Sequence, residues 1–405
     1  MFERYRSVFR LPGTAGFCAA SFVARMPLAM YALGIVLIIS ARGGKYGFAG
    51  VLSACYVFGN AAGQPLLSIL VDRYGQRRVL YPAGAVHLGS GAVFAVMLKT
   101  AAPDWSLVIP AVVFGVSYLP FGSLVRARWA NLLDGRPELS TALSVESVLD
   151  EVIFVIGPLV ATVLATQADP VLVIWLGVLL VTGGALWLAA LRATEPPAHP
   201  RAEAGHVSAL RSPGMVHLTI ASIAMGAVFA SAEVSMVAFC GQHHHRALSG
   251  LVLAAIAVGS AASGLVYGAI GWQTSVLRRF RLQSVAFALL PILLLAATDV
   301  PVLAMCAFVF GLGVAPALIT MFGLVQQMVP ARALTEGLSW IGTGLSVGYG
   351  AGAALVGGIA DAHGARAAFL VVIGSALPVG VVGLLLHVRR SAEAIAPDSP
   401  TPVAP

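Results

Sequence analysis

Charge is the first thing this sequence lacks: only 10% of its 405 residues are Asp, Glu, Lys or Arg. A soluble domain carries about 25% charged residues. So few charges cannot furnish a polar skin over a water-facing fold of this length, and a soluble architecture is excluded. Cysteine is also sparse. Cys18, Cys55, Cys240 and Cys306 stand singly inside apolar runs with no CxxC pair, which removes a disulfide framework or a metal site and leaves small buried thiols. HExxH and Walker loops are missing. No polar stretch is long enough to hold a catalytic or nucleotide-binding domain. An enzyme and an ATP-driven pump are both disfavoured, and no cofactor and no metal is expected.

What is abundant is hydrocarbon, with 59% of residues hydrophobic. A helix needs about 20 mainly apolar residues to cross a bilayer. Segments that meet this fall near 14–40, 46–71, 79–98, 105–125, 141–166, 170–191, 215–240, 248–271, 283–298, 301–328, 335–359 and 366–388. These runs are too long for barrel strands and do not alternate. The expectation is an all-α membrane protein of twelve transmembrane helices in two six-helix halves. The halves are residues 1–191 and 215–390, with a polar linker at 192–214 and a Pro-rich, disordered tail at 391–405. The basic N-terminus leads into a run too long for a signal peptide, so the first span is read as retained.

Arginine and lysine test that count. With both termini cytoplasmic, 18 of the 24 basic residues fall in inner segments, five in outer loops (Arg42, Lys45, Lys99, Arg246, Arg366), and Arg25 within span 1. This bias is what the positive-inside rule requires. The net charge of +7 gives no nucleic-acid surface, because the arginines are scattered in short groups between spans. The expected surroundings are the lipid bilayer of the plasma membrane, with a monomeric chain.

After span 2 the sequence reads SILVDRYGQRR (68–78). This resembles the G-x-L-x-D-R-x-G-R-R/K signature between helices 2 and 3 of the major facilitator superfamily. Leu70, Asp72, Arg73, Gly75 and Arg77 match and Arg78 follows directly, while Ser68 and Gln76 depart from it. The resemblance implies that Asp72, Arg73, Gly75, Arg77 and Arg78 form a conformational latch, with Asp72 facing the N-terminus of span 11. The corresponding loop of the second half, GAIGWQTSVLRRFR (268–281), lacks the Asp and keeps the arginines. Gly157-Pro158 in span 5 is similar to the Gly-Pro kink of the antiporter motif in bacterial drug and metabolite exporters of that superfamily. Its surrounding glycines are replaced by Ile153, Ala161 and Thr162.

Ionisable residues inside spans are costly, about 2.5–3.5 kcal/mol each at mid-bilayer, so each invites a functional reading. Arg25 interrupts span 1, Glu146, Asp150 and Glu151 begin span 5, and Glu233 lies in span 7. Glu146 and Asp150 share a helix face, whereas Glu151 points about 100° away. Asp150 and Glu233 are the proton-coupling candidates, with Glu146 and Arg25 in support. Fixed ion pairs with Arg126, Arg128 or Arg25 are the structural alternative, favoured for Glu151. Small-residue stripes in span 2 (Gly59, Gly63), span 8 (Gly259, Ser263) and span 11 (Gly344, Gly348, Gly352) fit either surfaces that rock between halves or ordinary close packing. Tyr31, Tyr118, Ser231, Ser235 and Gln326 are the substrate-cavity candidates. His243, His244 and His245 fall in an outer loop and read as solvated. The function expected is proton-driven export of a small molecule; proton-coupled nutrient uptake and a transport-fold sensor are the alternatives.

Overall fold

The computed structural model describes residues 2–42, 46–100, 102–198, 208–245 and 248–386. Among the described residues, twelve helical segments are long and apolar enough to span a membrane. Spans 1 to 6 are Thr14–Ile39, Phe48–Tyr74, Gln76–Lys99, Asp104–Leu132, Leu139–Gln167 and Leu172–Ala190. Spans 7 to 12 are Met215–Gln242, Ser249–Ala269, Val276–Ala296, Val300–Met328, Ala331–Ala360 and Ala362–Leu385. No strand occurs among the described residues. Lys45, Arg201, Arg246, Arg389 and Arg390, part of the linker, and the expected disordered tail lie outside them.

Large apolar side chains such as Leu159, Leu179 and Leu384, each 61% exposed, cover the outer surface. Lipid accommodates such a surface; water does not. Inside, spans 1–6 close around Phe17, Tyr31, Phe114 and Trp129. Spans 7–12 close around Met225, Phe239, Phe287 and Phe310. Backbone breaks fall where the residues demand them. Pro27 sits in a 3-10 turn, Met26–Ala29, which interrupts span 1 directly after Arg25. Gly75 takes φ +87° to turn the chain from span 2 into span 3, and Gly364 takes φ +82° near the start of span 12.

The small-residue stripes weld helices within each half, and they do not form the surfaces between halves. A Cβ on Gly59 or Gly63 of span 2 would collide with the carbonyls of Val112 or Val116 in span 4, and one on Gly115 with that of Tyr56. In the second half, Gly259 meets the Phe308 carbonyl and Gly311 that of Ile256. Gly344, Gly348 and Gly352 of span 11 press on the backbone or Ser222 side chain of span 7. Backbones this close have no room to slide, which settles the alternative in favour of packing. The joint between spans 2 and 4 thus recurs between spans 8 and 10. The internal repeat is one of contacts, and it was not visible as a residue-by-residue match.

The arginine-rich helix ends gather on one face. Arg128 donates to the Leu191 carbonyl (2.8 Å) at the end of span 6, and Arg281 to the Leu386 carbonyl (2.9 Å) after span 12. On that side two seams join the halves. In the seam between spans 2 and 11, Asp72 accepts from the backbone N–H groups of Thr335 (3.2 Å) and Glu336 (2.9 Å). Ser68 bonds Ser339, which also donates to Ser123 (2.9 Å), and Thr343 donates to the Ala61 carbonyl (2.9 Å). Thr343 follows Thr335 by eight residues, so this seam runs roughly 12 Å into the membrane. In the seam between spans 5 and 8, Thr141 donates to the Gly268 carbonyl (2.6 Å) and Ser260 to Glu151 (2.5 Å). The short helix Phe2–Phe9 straps the same side, with the Tyr5 hydroxyl donating to the Leu265 carbonyl (2.6 Å). Burial pushes that hydroxyl up to about 12, so it stays a neutral donor.

Candidate functional site

Span 5 supplies Glu146 and Asp150, one helical turn apart and therefore on one face. Span 1 presents Arg25 to that face from the last turn before its 3-10 break. The guanidinium divides between them, reaching Glu146 at 2.5 Å and Asp150 at 2.6 Å. Arg126 of span 4 takes the other oxygen of Asp150 at 2.6 Å. Glu146 also accepts from Trp129 Nε1 (2.9 Å) and Cys18 Sγ (3.3 Å).

Two cations and two anions make the group formally neutral, which is how charges persist inside a membrane. The members are not equivalent. Arg25, Arg126 and Glu146 are buried, while the Asp150 side chain keeps 33% of its surface exposed. Removing one partner of a buried pair costs about 3–5 kcal/mol, because the other charge is left behind. Arg126 also lies over the Phe322 ring of span 10, 4.1 Å from its centroid. It thus ties the ionic group of the first half to the second half.

Glu151, one residue on from Asp150, faces away and accepts from Ser260 of span 8. The ion pair expected for it is absent among the described residues, because its face of the helix meets span 8 and not the arginines. Glu233 is exposed and accepts from the Tyr349 hydroxyl of span 11 at 2.5 Å.

The other residues singled out in the sequence are placed as follows. Asp72 lies at the seam described above. Gly75 adjoins Glu195, whose carboxylate accepts from Arg77 N–H (2.8 Å) at the start of span 3. Arg73 and Arg77 lie over the rings of Tyr74 and Tyr81, and Arg78 is exposed beside them. None of the three has an ion-pair partner on the other half among the described residues. Gly157 packs on span 1, where a Cβ would stand 2.7 Å from that of Ala29, and Pro158 lies within the helix of span 5.

Tyr31 and Tyr118 are buried inside the first half. Tyr31 bonds His87 (3.1 Å), His87 bonds Ser117 (3.0 Å), and Tyr118 donates to the Ala24 carbonyl (3.1 Å). Ser231 and Ser235 are buried and donate to carbonyls of their own helix, Ala227 and Ser231. Gln326 lines a cavity on the arginine-rich face. Cys18 and Cys240 are buried as expected, while Cys55 and Cys306 are only half-buried. His243 stacks on Phe239, centroids 4.1 Å apart.

Three participants went unnoticed in the sequence. Trp129 is one, and its helical spacing from Arg126 was the available signal. His87 is another, as the only histidine inside spans 1–6. Gln76 is the third. It replaces an arginine of the signature, donates to the Leu124 carbonyl (3.0 Å), and accepts from Arg128 (2.7 Å).

Two six-helix bundles joined at one face, the first holding a formally neutral group of mostly buried charges, define a secondary-transporter fold. The chain belongs to the Major Facilitator Superfamily, whose family model matches residues 17–298 and 277–404. No curated protein sequence matches it. Among solved structures it resembles the Escherichia coli fucose:proton symporter FucP, at 12% identity and TM-score 0.72, covering 92% of this chain and 98% of that one. The human organic anion transporter MFSD10 is similar at 15% identity and TM-score 0.70, with 92% and 99% covered. A bacterial homologue of the iron transporter ferroportin, in an outward-facing state, is similar at 16% identity and TM-score 0.70, with 92% and 99% covered. At these identities the likeness concerns the fold.

Proposed function

We propose that this protein exports a small molecule in exchange for protons by alternating access, with Asp150 as the proton-exchanging group. The observation that carries this reading is the position of Asp150. It is the partly exposed member of an otherwise buried ionic group, and its two oxygens are held by arginines from different helices. One of those arginines rests on the opposite half through Phe322. When the halves separate on the arginine-rich side, Arg126 loses that support. A carboxylate deprived of a neighbouring guanidinium binds a proton more readily. Glu146, buried and held by three donors, keeps Arg25 in place. Glu233, exposed and hydrogen-bonded to Tyr349, is a second site for a proton or for a cationic group of the substrate.

In this reading the arginine-rich face is cytoplasmic, the membrane is the plasma membrane, the chain works as a monomer, and Asp72 latches the inner side shut. The Gly157-Pro158 pair, packed on span 1 and similar to that of the antiporter motif, supports exchange over symport. A substrate panel added to purified protein in weakly buffered solution tests the coupling. Binding of a transported compound should release protons, and Asp150→Asn should abolish the release. Proton release unchanged in that variant overturns the assignment.

A further inference from the structure

A cavity of about 1020 Å³ opens on the arginine-rich face, between the halves and away from the ionic group of spans 1, 4 and 5. Asn131, Asp134 and Arg136 line it from the first half. Trp272, Arg279 and Gln326 line it from the second. Arg279 is only 9% exposed. Its guanidinium stands 5.6 Å from the Tyr267 ring centroid and 5.4 Å from that of Trp272, and it donates to the Tyr267 hydroxyl (2.7 Å). Its Nε is buried without a partner, and no carboxylate lies within ion-pairing distance among the described residues. A buried cation without a countercharge is unfavourable. Both amide atoms of Gln326 are likewise buried and unpartnered.

The helix Val276–Leu289 starts at the same wall, with Thr274, Ser275 and Val276 lining the cavity. The Ser275 side chain caps the Arg278 N–H of its first turn (3.3 Å), which leaves the N–H groups of Val276 and Leu277 and the positive end of the helix dipole. Asp72 also lines the cavity but is engaged by the Thr335 and Glu336 amides. Asp134 and Arg136 also line the cavity, and none of these side chains pairs with Arg279 among the described residues.

We infer that this cavity binds a small soluble oxyanion, of the phosphate or phosphate-ester class, between Arg279, the N-terminal turn of span 9 and Gln326. All three groups belong to the second half, and the first half walls the cavity through Asn131, Asp134 and Arg136. This inference is independent of the role proposed for Asp150.

The test is thermal unfolding of the purified full-length protein with inorganic phosphate or glycerol 3-phosphate, against chloride at matched ionic strength. A ligand specific to the folded state raises Tm in proportion to its saturation. Wild type should gain a few degrees, saturably. Arg279→Gln should gain nothing, Gln326→Leu less than wild type, and Arg279→Lys should keep part of the gain. If Arg279→Gln yields no monodisperse protein, Gln326→Leu decides. No gain over chloride in wild type, or an undiminished gain in the neutral variants, overturns the inference.

Discussion

The carboxylate of Asp72 and the backbone N–H of Glu336 belong to different halves of the protein, and a 2.9 Å hydrogen bond joins them. The other oxygen of Asp72 takes the N–H of Thr335. Together they satisfy two of the amide groups that the start of span 11 cannot bond within its own helix. The same carboxylate therefore ends one helix and caps another across the joint.

Asp72→Ala should loosen that joint. A capping side chain is worth about 0.5–2 kcal/mol, so the closed population on the arginine-rich side should fall by roughly 2- to 30-fold relative to the open one. Distances between spin labels at the ends of spans 2 and 11 report this directly. An unchanged distance distribution would show that the remaining seam contacts suffice. Asp72→Asn, which keeps an acceptor, should lie between the two.

The glycine joints make a separate prediction. Gly115→Ala and Gly311→Ala each drive a Cβ into a facing carbonyl, of Tyr56 and Ile256. Overpacking of this kind costs about 1–3 kcal/mol. Both variants should unfold at lower temperature in detergent. Gly357→Ala meets nothing within 4 Å and should not. Equal stability of all three would contradict the packing described.

On the opposite face, Lys99 and Asp169 form an exposed ion pair. The Lys99 ammonium, followed by the Val171 N–H, holds the Asp169 carboxyl below its ordinary value. A depressed carboxyl adds stability above the unfolded-state value and loses it as pH falls through the folded one. Exposure keeps the contribution below about 1 kcal/mol. Lys99→Ala should thus lower Tm slightly at neutral pH, and the difference should vanish in strongly acidic solution. A difference that grows on acidification would contradict this.

Orientation can be read by chemistry. Glu3→Cys and Asp104→Cys place exposed thiols at opposite ends of the bundle. In intact cells a membrane-impermeant maleimide should label Asp104→Cys, and Glu3→Cys only after permeabilisation. Labelling of Glu3→Cys in intact cells would invert the proposed topology.

Much of this architecture could be read in the sequence because lipid imposes it. An apolar helix must be long enough to cross, and arginines collect at alternate ends. The one-turn spacing of Glu146 and Asp150 already put them on one face, with Glu151 turned aside. What sequence withheld depends on depth and rotation in three dimensions. Arg126 reaches Asp150 and Arg128 turns to Gln76 and the end of span 6, although only two positions separate them. Tyr31 and Tyr118 read equally well as cavity aromatics, yet they lie with His87 inside one bundle. The glycine joints needed the register between helices that are not adjacent along the chain. Local spacing does not encode that register.

The most direct test of the account is transport into proteoliposomes under an imposed pH gradient, comparing wild type with Asp150→Asn for any compound the protein moves. Gradient-driven accumulation should occur with wild type and be lost in Asp150→Asn, while exchange of compound without a gradient persists. Accumulation driven equally well in the variant, or transport by wild type indifferent to the gradient, would contradict proton coupling through Asp150.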